Sequence, residues 1–211
     1  MLYELRTCRA RPDGFSRLVA LASGVGVKIA AKYAKLAGHW TTEMEGLNEI
    51  VQLWQYEDFA DRTRATEALA RDKGWQRRYM VPRTPLIERM RSMVLVPADV
   101  WPYTPPSGEN IYELRNYRLH PGKTREWLDV WRRGMSVRQE YSKPVGIWYS
   151  ELGELNRIVH LWPYRSLAHR YEVRTNALGE ELWRETVAEL ATLMQTMEST
   201  ILVPTAASPL K

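Results

Sequence analysis

Leu47-Asn48-Glu49-Ile50-Val51-Gln52-Leu53-Trp54-Gln55-Tyr56 returns about 108 residues later as Leu155-Asn156-Arg157-Ile158-Val159-His160-Leu161-Trp162-Pro163-Tyr164. Each copy alternates side chains with period two and so reads as a strand. Other landmarks recur in the same order, with the register drifting by only a residue or two: Tyr3-Glu4-Leu5-Arg6 with Tyr112-Glu113-Leu114-Arg115, Arg11-Pro12 with His120-Pro121, and Gly38-His39-Trp40 with Gly146-Ile147-Trp148. Downstream, Phe59-Ala60-Asp61-Arg62 answers Leu167-Ala168-His169-Arg170, Trp75 answers Trp183, and Leu95-Val96-Pro97 answers Leu202-Val203-Pro204. A period near 100 residues suits a small self-standing domain and is too long for a solenoid unit. The chain is an internal duplication.

Periodicity switches in the same order in each half. Residues 2–9 and 111–118 alternate as strands, and Asp13 to Lys35 and Gly122 to Tyr141 read as helices started at Pro12 and Pro121. Strands follow over 38–44 and 48–56, and over 146–151 and 156–164, with Glu45-Gly46 and Gly153-Glu154 in the turns between them. A second helix is capped by Asp58 or Ser166. In the second half its apolar stripe runs Trp183, Val187, Leu190, Met194, Met197, and in the first half Pro82 and Pro85 should break it. A last strand covers about 93–97 and 200–204. The order β-α-β-β-α-β defines an α+β chain of two tandem ferredoxin-like domains, whose bare sheet faces would be covered by forming an intrachain α/β barrel. The first domain is expected over 1–97, a Pro-rich linker over 98–109, the second domain over 110–205 and a C-terminal tail over 206–211.

Composition narrows the partners. With 45% hydrophobic and 26% charged residues and no apolar run of membrane-spanning length, no membrane partner is expected. A strand-like pattern starts at Leu2 with no basic and apolar leader pattern before it, so a signal peptide is not expected and a cytoplasmic location is. The net charge of +5 is spread over mixed-sign helix faces, from Arg62 through Glu67, Asp72 and Arg78 to Arg91, so nucleic acid is not expected either. Cys8, the single cysteine, cannot form an intrachain disulfide and reads as strand packing despite Arg6 and Arg9 nearby.

These repeated motifs carry a resemblance to a tandem member of the NIPSNAP family. Its pattern is Tyr-Glu-hydrophobic-Arg in the first strand, Pro-Gly at the helix start, Gly-x-Trp, Leu-Asn-x-(Ile/Val)-Val-x-Leu-Trp-x-Tyr, an early helix arginine (Arg62, Arg170), a downstream tryptophan and a closing Leu-x-Pro. The first copy departs from it at Cys8 and at Pro12-Asp13, where the second has Tyr117 and Pro121-Gly122. The resemblance implies the dimeric α/β-barrel superfamily, which spans cofactor-free oxygenases, isomerases, haem-handling enzymes and non-enzymes, and so leaves the activity unassigned.

Chemistry has to come from the residues. Alternation puts Val159 and Leu161 on one face of the decapeptide strand and Ile158, His160, Trp162 and Tyr164 on the other. The aliphatic face should meet the helices, and the mixed face should line the barrel. Glu113, Arg115 and Tyr117 share a face of the neighbouring strand, so Glu113, Arg115 and His160 should converge. His160 would act as base, Glu113 would hold it, and Arg115 would stabilise an oxyanion. The same Glu–Arg spacing also suits mutual neutralisation. Binding residues are expected at Tyr117, Trp148, Trp162 and Tyr164, and in the first half at Trp54, Gln52, Arg6 and Glu4, where Gln52 replaces the titratable base.

Other signals carry less. Gly24-Val25-Gly26 lacks a dinucleotide-binding context, and no spacing among the histidines and Cys8 makes a metal site, so no cofactor or metal is expected; haem held by one histidine stays open. His39 and His169 are alternatives to His160, at positions that equally suit a solvent-facing or helix-capping residue, and His120 reads as a turn. Trp127 and Trp131, four apart on one helix, suggest an exposed stripe through which a homodimer could form. Two functions compete: a small-molecule protein with an open pocket, which includes a cofactor-independent enzyme (proton abstraction, isomerase or oxygenase type), and a scaffold or interaction protein whose barrel is filled.

Overall fold

A computed structural model describes residues 1–211. They form two compact units, Met1–Leu95 with Leu202–Lys211, and Val96–Ile201. The first unit contains β1 (Leu2–Ala10), α1 (Phe15–Leu21), α2 (Val27–Ala30), β2 (Lys35–Met44), β3 (Glu49–Tyr56), α3 (Phe59–Arg71), the short α4 (Lys73–Trp75) and α5 (Val81–Arg83), and most of β4 (Ile87–Pro97). The second contains β5 (Ile111–Leu119), α6 (Thr124–Arg138), β6 (Gly146–Ser150), β7 (Arg157–Tyr164), α7 (Leu167–Ala177), α8 (Glu181–Thr192) and most of β8 (Met194–Pro204). The hydrogen-bonded strand order β1-β3-β2-β8-β5-β7-β6-β4 closes on itself. This is the α/β-barrel order of two tandem ferredoxin-like repeats.

The repeated motifs now have local causes. Asn48 and Asn156 adopt left-handed backbone (φ 62° and 58°), a conformation asparagine tolerates better than most residues. Each offers its carbonyl across the sheet, Asn48 to the Ala10 N–H and Asn156 to the Leu119 N–H, both at 2.8 Å. The Asp58 and Ser166 side chains accept from the N–H groups of Asp61 and His169, as N-caps do. In Gly-x-Trp the indole lies over the glycine two residues before it: a Cβ at Gly146 would sit 2.6 Å from the Trp148 ring, and one at Gly38 would clash harder with Trp40. Only glycine allows the ring to lie flat there.

Strand pairing is as the motifs require. β1 runs antiparallel to β3 with Arg6 opposite Gln52, and β5 to β7 with Arg115 opposite His160. The assignment of faces is reversed. Tyr117, Ile158, Trp162 and Tyr164 pack in one cluster with Trp127, Leu128, Trp131 and Leu190, so it is the mixed aromatic face that meets the helices. Period two separates the two faces of a strand without saying which is covered. Here the helix arginines decide it. Arg62 of α3 reaches Glu4 of β1 through two bonds of 2.9 and 3.0 Å, and Arg170 and Arg174 of α7 reach Glu113 of β5.

Three further expectations change. Trp127 and Trp131 are each 1% exposed, so α6 carries a core stripe, and the proposed dimer contact loses its basis. Met194 and Met197 belong to β8, not to a helix, because both last strands begin early, at Ile87 and Met194. Pro82 does not break the helical run. A π-helical turn over Gln76–Met80 precedes it, and the run ends at Leu86 after Pro85. A π turn widens the hydrogen-bond ladder just where proline cannot donate.

Glu4 and Glu113 are buried, at 1% and 0% exposed, and each is ringed by donors: Arg6, Arg62 and Ser92 around Glu4; Arg115, Arg170, Arg174 and Ser199 around Glu113. Burial alone would raise the Glu4 pKa, but the bonds from Arg6 and Arg62 outweigh it and hold the carboxyl at about 2. Glu113 is depressed further against the same opposing burial by Arg170 and Arg115. These depressed values stabilise the fold above the ordinary carboxyl range, and the contribution is lost as pH falls through the folded-state values. Glu113→Gln should cost about 3–5 kcal/mol in denaturant unfolding, because it leaves arginines facing one another with no anion. Gly146→Ala should cost less, about 1–3 kcal/mol, by forcing the Trp148 ring off its seat; equal stability of the variant and the parent would refute the close-approach account of Gly-x-Trp.

Candidate functional site

The second unit encloses a cavity of about 180 Å³ between its sheet and its helices. Arg115 and Tyr117 of β5 and His160 and Trp162 of β7 form its floor, and Trp127, Trp131 and Arg138 of α6 with Arg174, Trp183 and Leu190 of α7 and α8 form its walls. Four of the expected residues meet there: His160, Arg115, Tyr117 and Trp162. Glu113 lies behind Arg115, fully buried, and does not line the cavity. Trp148 projects from the other face of the sheet, opposite Val159 in register. Tyr164 sits at the rim of the same helix-side cluster, its hydroxyl 3.5 Å from Nη2 of Arg138.

His160 is held by Trp162 and not by a carboxylate. The Trp162 Nε1–H donates to His160 Nδ1 at 2.7 Å. An indole nitrogen is only a donor, so Nδ1 must carry the lone pair and the proton of the neutral ring sits on Nε2. Burial, followed by the nearby Arg115, holds the His160 pKa well below 6.5, so the ring is neutral. Its Nε2 is buried and has no protein partner. The atom available to the cavity is therefore a hydrogen-bond donor, whereas a base would need its lone pair there. The first unit repeats the device with a different side chain, since Trp54 Nε1–H donates to Gln52 Oε1 at 3.2 Å and leaves the amide –NH₂ as the remaining polar group. Glutamine matches a neutral histidine as acceptor on one side and donor on the other.

Arg138 is a cavity-lining residue that the repeated motifs do not mark. It is 3% exposed, stacks over Trp162 at 4.6 Å and Trp183 at 5.8 Å, and bonds only to the Ser142 carbonyl and the Tyr164 hydroxyl. No carboxylate pairs with it. Burial pushes its pKa down to about 10, so the guanidinium is charged at neutral pH. Trp127 Nε1 is likewise buried without a partner. The signal was in the sequence: Arg138 follows Trp127, Trp131 and Gly134 at helical spacings of four and three, an arginine on an apolar stripe.

The first unit has a second cavity, of about 270 Å³, lined by Glu4, Arg6, Gln52 and Trp54 among others. All four of the residues expected in that half meet there. Of the other histidines, His39 is fully buried and bonded to Thr205, with its pKa lowered to about 4 by burial, and His169 Nδ1 accepts from the Arg165 N–H at the start of α7. No helix is long and apolar enough to cross a membrane.

A family model described as NIPSNAP matches residues 3–102 and again residues 112–209. NipSnap homolog 2 of Homo sapiens is 34% identical over 215 residues, covering 100% of this chain and 75% of that protein. A NipSnap homolog of Dictyostelium discoideum is 35% identical over 172 residues, covering 79% of this chain and 74% of its own. An anthrone oxidase-like protein of solved structure is 12% identical, with a TM-score of 0.70 over 97% of this chain and 91% of that one, a likeness that shows the fold alone. With a family model that spans nearly the whole chain in two copies, and the repeated motifs in both, the chain belongs to the NIPSNAP family.

Proposed function

We propose that the second unit binds a small, flat organic anion in the cavity between its sheet and its helices. One observation carries this reading: three buried donors, the Arg138 guanidinium, His160 Nε2–H and Trp127 Nε1–H, line one aromatic cavity with no carboxylate for the arginine and no acceptor for the two rings. Buried donors left unmatched are costly, and a ligand carboxylate or enolate oxygen would satisfy them. Trp131, Trp162 and Trp183 supply flat apolar walls, so an aryl or enol-type acid fits better than a sugar or a phosphate ester.

Any chemistry at this site would be polarisation of a bound carbonyl by Arg138 and His160, with the developing negative charge on oxygen stabilised by donors already in place. Proton removal by His160 would require Trp162 to release Nδ1 and the ring to turn. Benzoate and 1-naphthoate are the probes, titrated calorimetrically against 1-naphthalenemethanol as the uncharged control. His160→Gln should bind within about threefold of the parent, while His160→Leu and Arg138→Met should each weaken binding by about 10-fold or more, the loss of a hydrogen bond to a charged group. If the alcohol binds as tightly as the acid, the anion reading fails; if neither binds, the scaffold reading is favoured.

The pH profile separates donor from base. Because His160 stays neutral when folded, naphthoate affinity should be flat as pH falls through 6.5, whereas a group that must titrate would impose a step there. Protein stability should instead decline below pH 6.5, since the unfolded chain takes up the proton that the folded ring refuses. His160→Gln should remove part of that decline in thermal melts recorded across the range.

A further inference from the structure

We propose that the cavity of the first unit is a second, separate ligand site that takes a bulkier apolar monocarboxylate held by Arg83. This goes beyond the site in the second unit and does not depend on it.

Arg83 lines the cavity and is 8% exposed. Its neighbours are two thioethers, Met80 Sδ at 3.4 Å and Met90 Sδ at 2.7 Å, and the Tyr79 side chain, and its Nε is buried with no partner. Glu4, the carboxylate in this cavity, is already saturated by Arg6, Arg62 and Ser92. Methionine sulfur is a weak acceptor on a flexible chain, so a carboxylate can displace it at little cost and gain a charge-assisted bond in its place. The guanidinium also lies over the Tyr79 ring, with its carbon 5.2 Å from the centroid, which fixes its plane.

The walls set the size of the ligand. Leu18, Ala22, Gly26 and Ala30 face this cavity, where α6 presents tryptophans to the other one, and the space is correspondingly larger, about 270 against 180 Å³. Two π-helical turns, Ala22–Gly26 and Gln76–Met80, border it and bring Gly26 against Tyr79 so closely that a Cβ there would fall 2.7 Å from the ring. The second unit has no such turns. Irregular backbone of this kind is retained where it shapes a site. The remaining amide group of Gln52 supplies a neutral donor where His160 stands in the other unit.

The chain's one thiol reports on occupancy. Cys8 lines the cavity, and burial raises its pKa, so alkylation is slow at neutral pH and measurable in mildly alkaline buffer. The full-length protein would be alkylated with N-ethylmaleimide, with and without 2-naphthylacetate, and followed by intact mass. The probe should slow Cys8 labelling at least 10-fold in the parent and in Arg138→Met, and leave it unchanged in Arg83→Gln. As an independent control, Ala22→Phe fills the cavity from its wall and should abolish protection even if Arg83→Gln proves poorly folded by circular dichroism. Protection that survives in a folded Arg83→Gln variant, or that disappears in Arg138→Met, overturns the proposal. So does labelling that the probe never slows in the parent, whatever the outcome of binding at the second unit.

Discussion

A carboxylate with no water around it has to be neutralised completely, and each unit of this protein is organised about one. Glu4 and Glu113 sit in the first strand of their repeats, buried to 1% or less, and each draws in an arginine two residues along its own strand, one or more arginines from the helix after the third strand, and a serine from the last strand. Three separate elements are thereby tied to one pair of oxygens. Taking a charge out of water costs several kcal/mol, which good geometry only just offsets, so such a cluster adds little net stability. It contributes specificity: only the arrangement with the Glu–Arg face under the helices satisfies it. That constraint places the aromatic residues of β3 and β7 beneath the helices and puts both cavities there.

The second constraint is a hydrogen bond two residues long. A tryptophan in the third strand donates to the side chain two positions before it, His160 in one unit and Gln52 in the other. The bond settles the polarity of that side chain, because an indole cannot accept. Whatever remains must donate. That the same role is filled by a residue that titrates and by one that never does argues that proton exchange is not what the position is for. It also explains how a histidine remains neutral amid arginines: burial and the positive charge of Arg115 both disfavour a second proton.

Much of this was legible in the sequence. The duplication, the ferredoxin-like order, the pairing of first with third strands and the convergence of Arg115 with His160 all follow from repeated motifs and period-two alternation. What was hidden depends on which face is covered, and alternation is symmetric on that point. The reversed face moved the cavity to the helix side of the sheet and turned Trp127 and Trp131 from surface to core. Arg83 and Arg138 were missed for a related reason. An arginine is ordinarily read as solvated, and only its neighbours on the helix face, or its place between Pro82 and Pro85, distinguish a buried one. The early start of β4 and β8 was obscured because their first residues are exposed and polar or carry methionine, which suits helix and strand alike.

Duplication frees the two copies to diverge wherever the clamp does not forbid it. Glutamate, arginine and serine of the clamp are the same in both units, whereas the cavity walls are not: Cys8 stands for Tyr117, Gln52 for His160, and small side chains face the space that tryptophans narrow in the second unit. Each cavity nonetheless keeps a buried arginine without an acid, and the two arise from different elements, α5 in one and α6 in the other. A shared ancestral position does not account for that recurrence. The two ligand sites proposed above would account for it, because a buried guanidinium without an acid is destabilising and a bound anion would offset that cost.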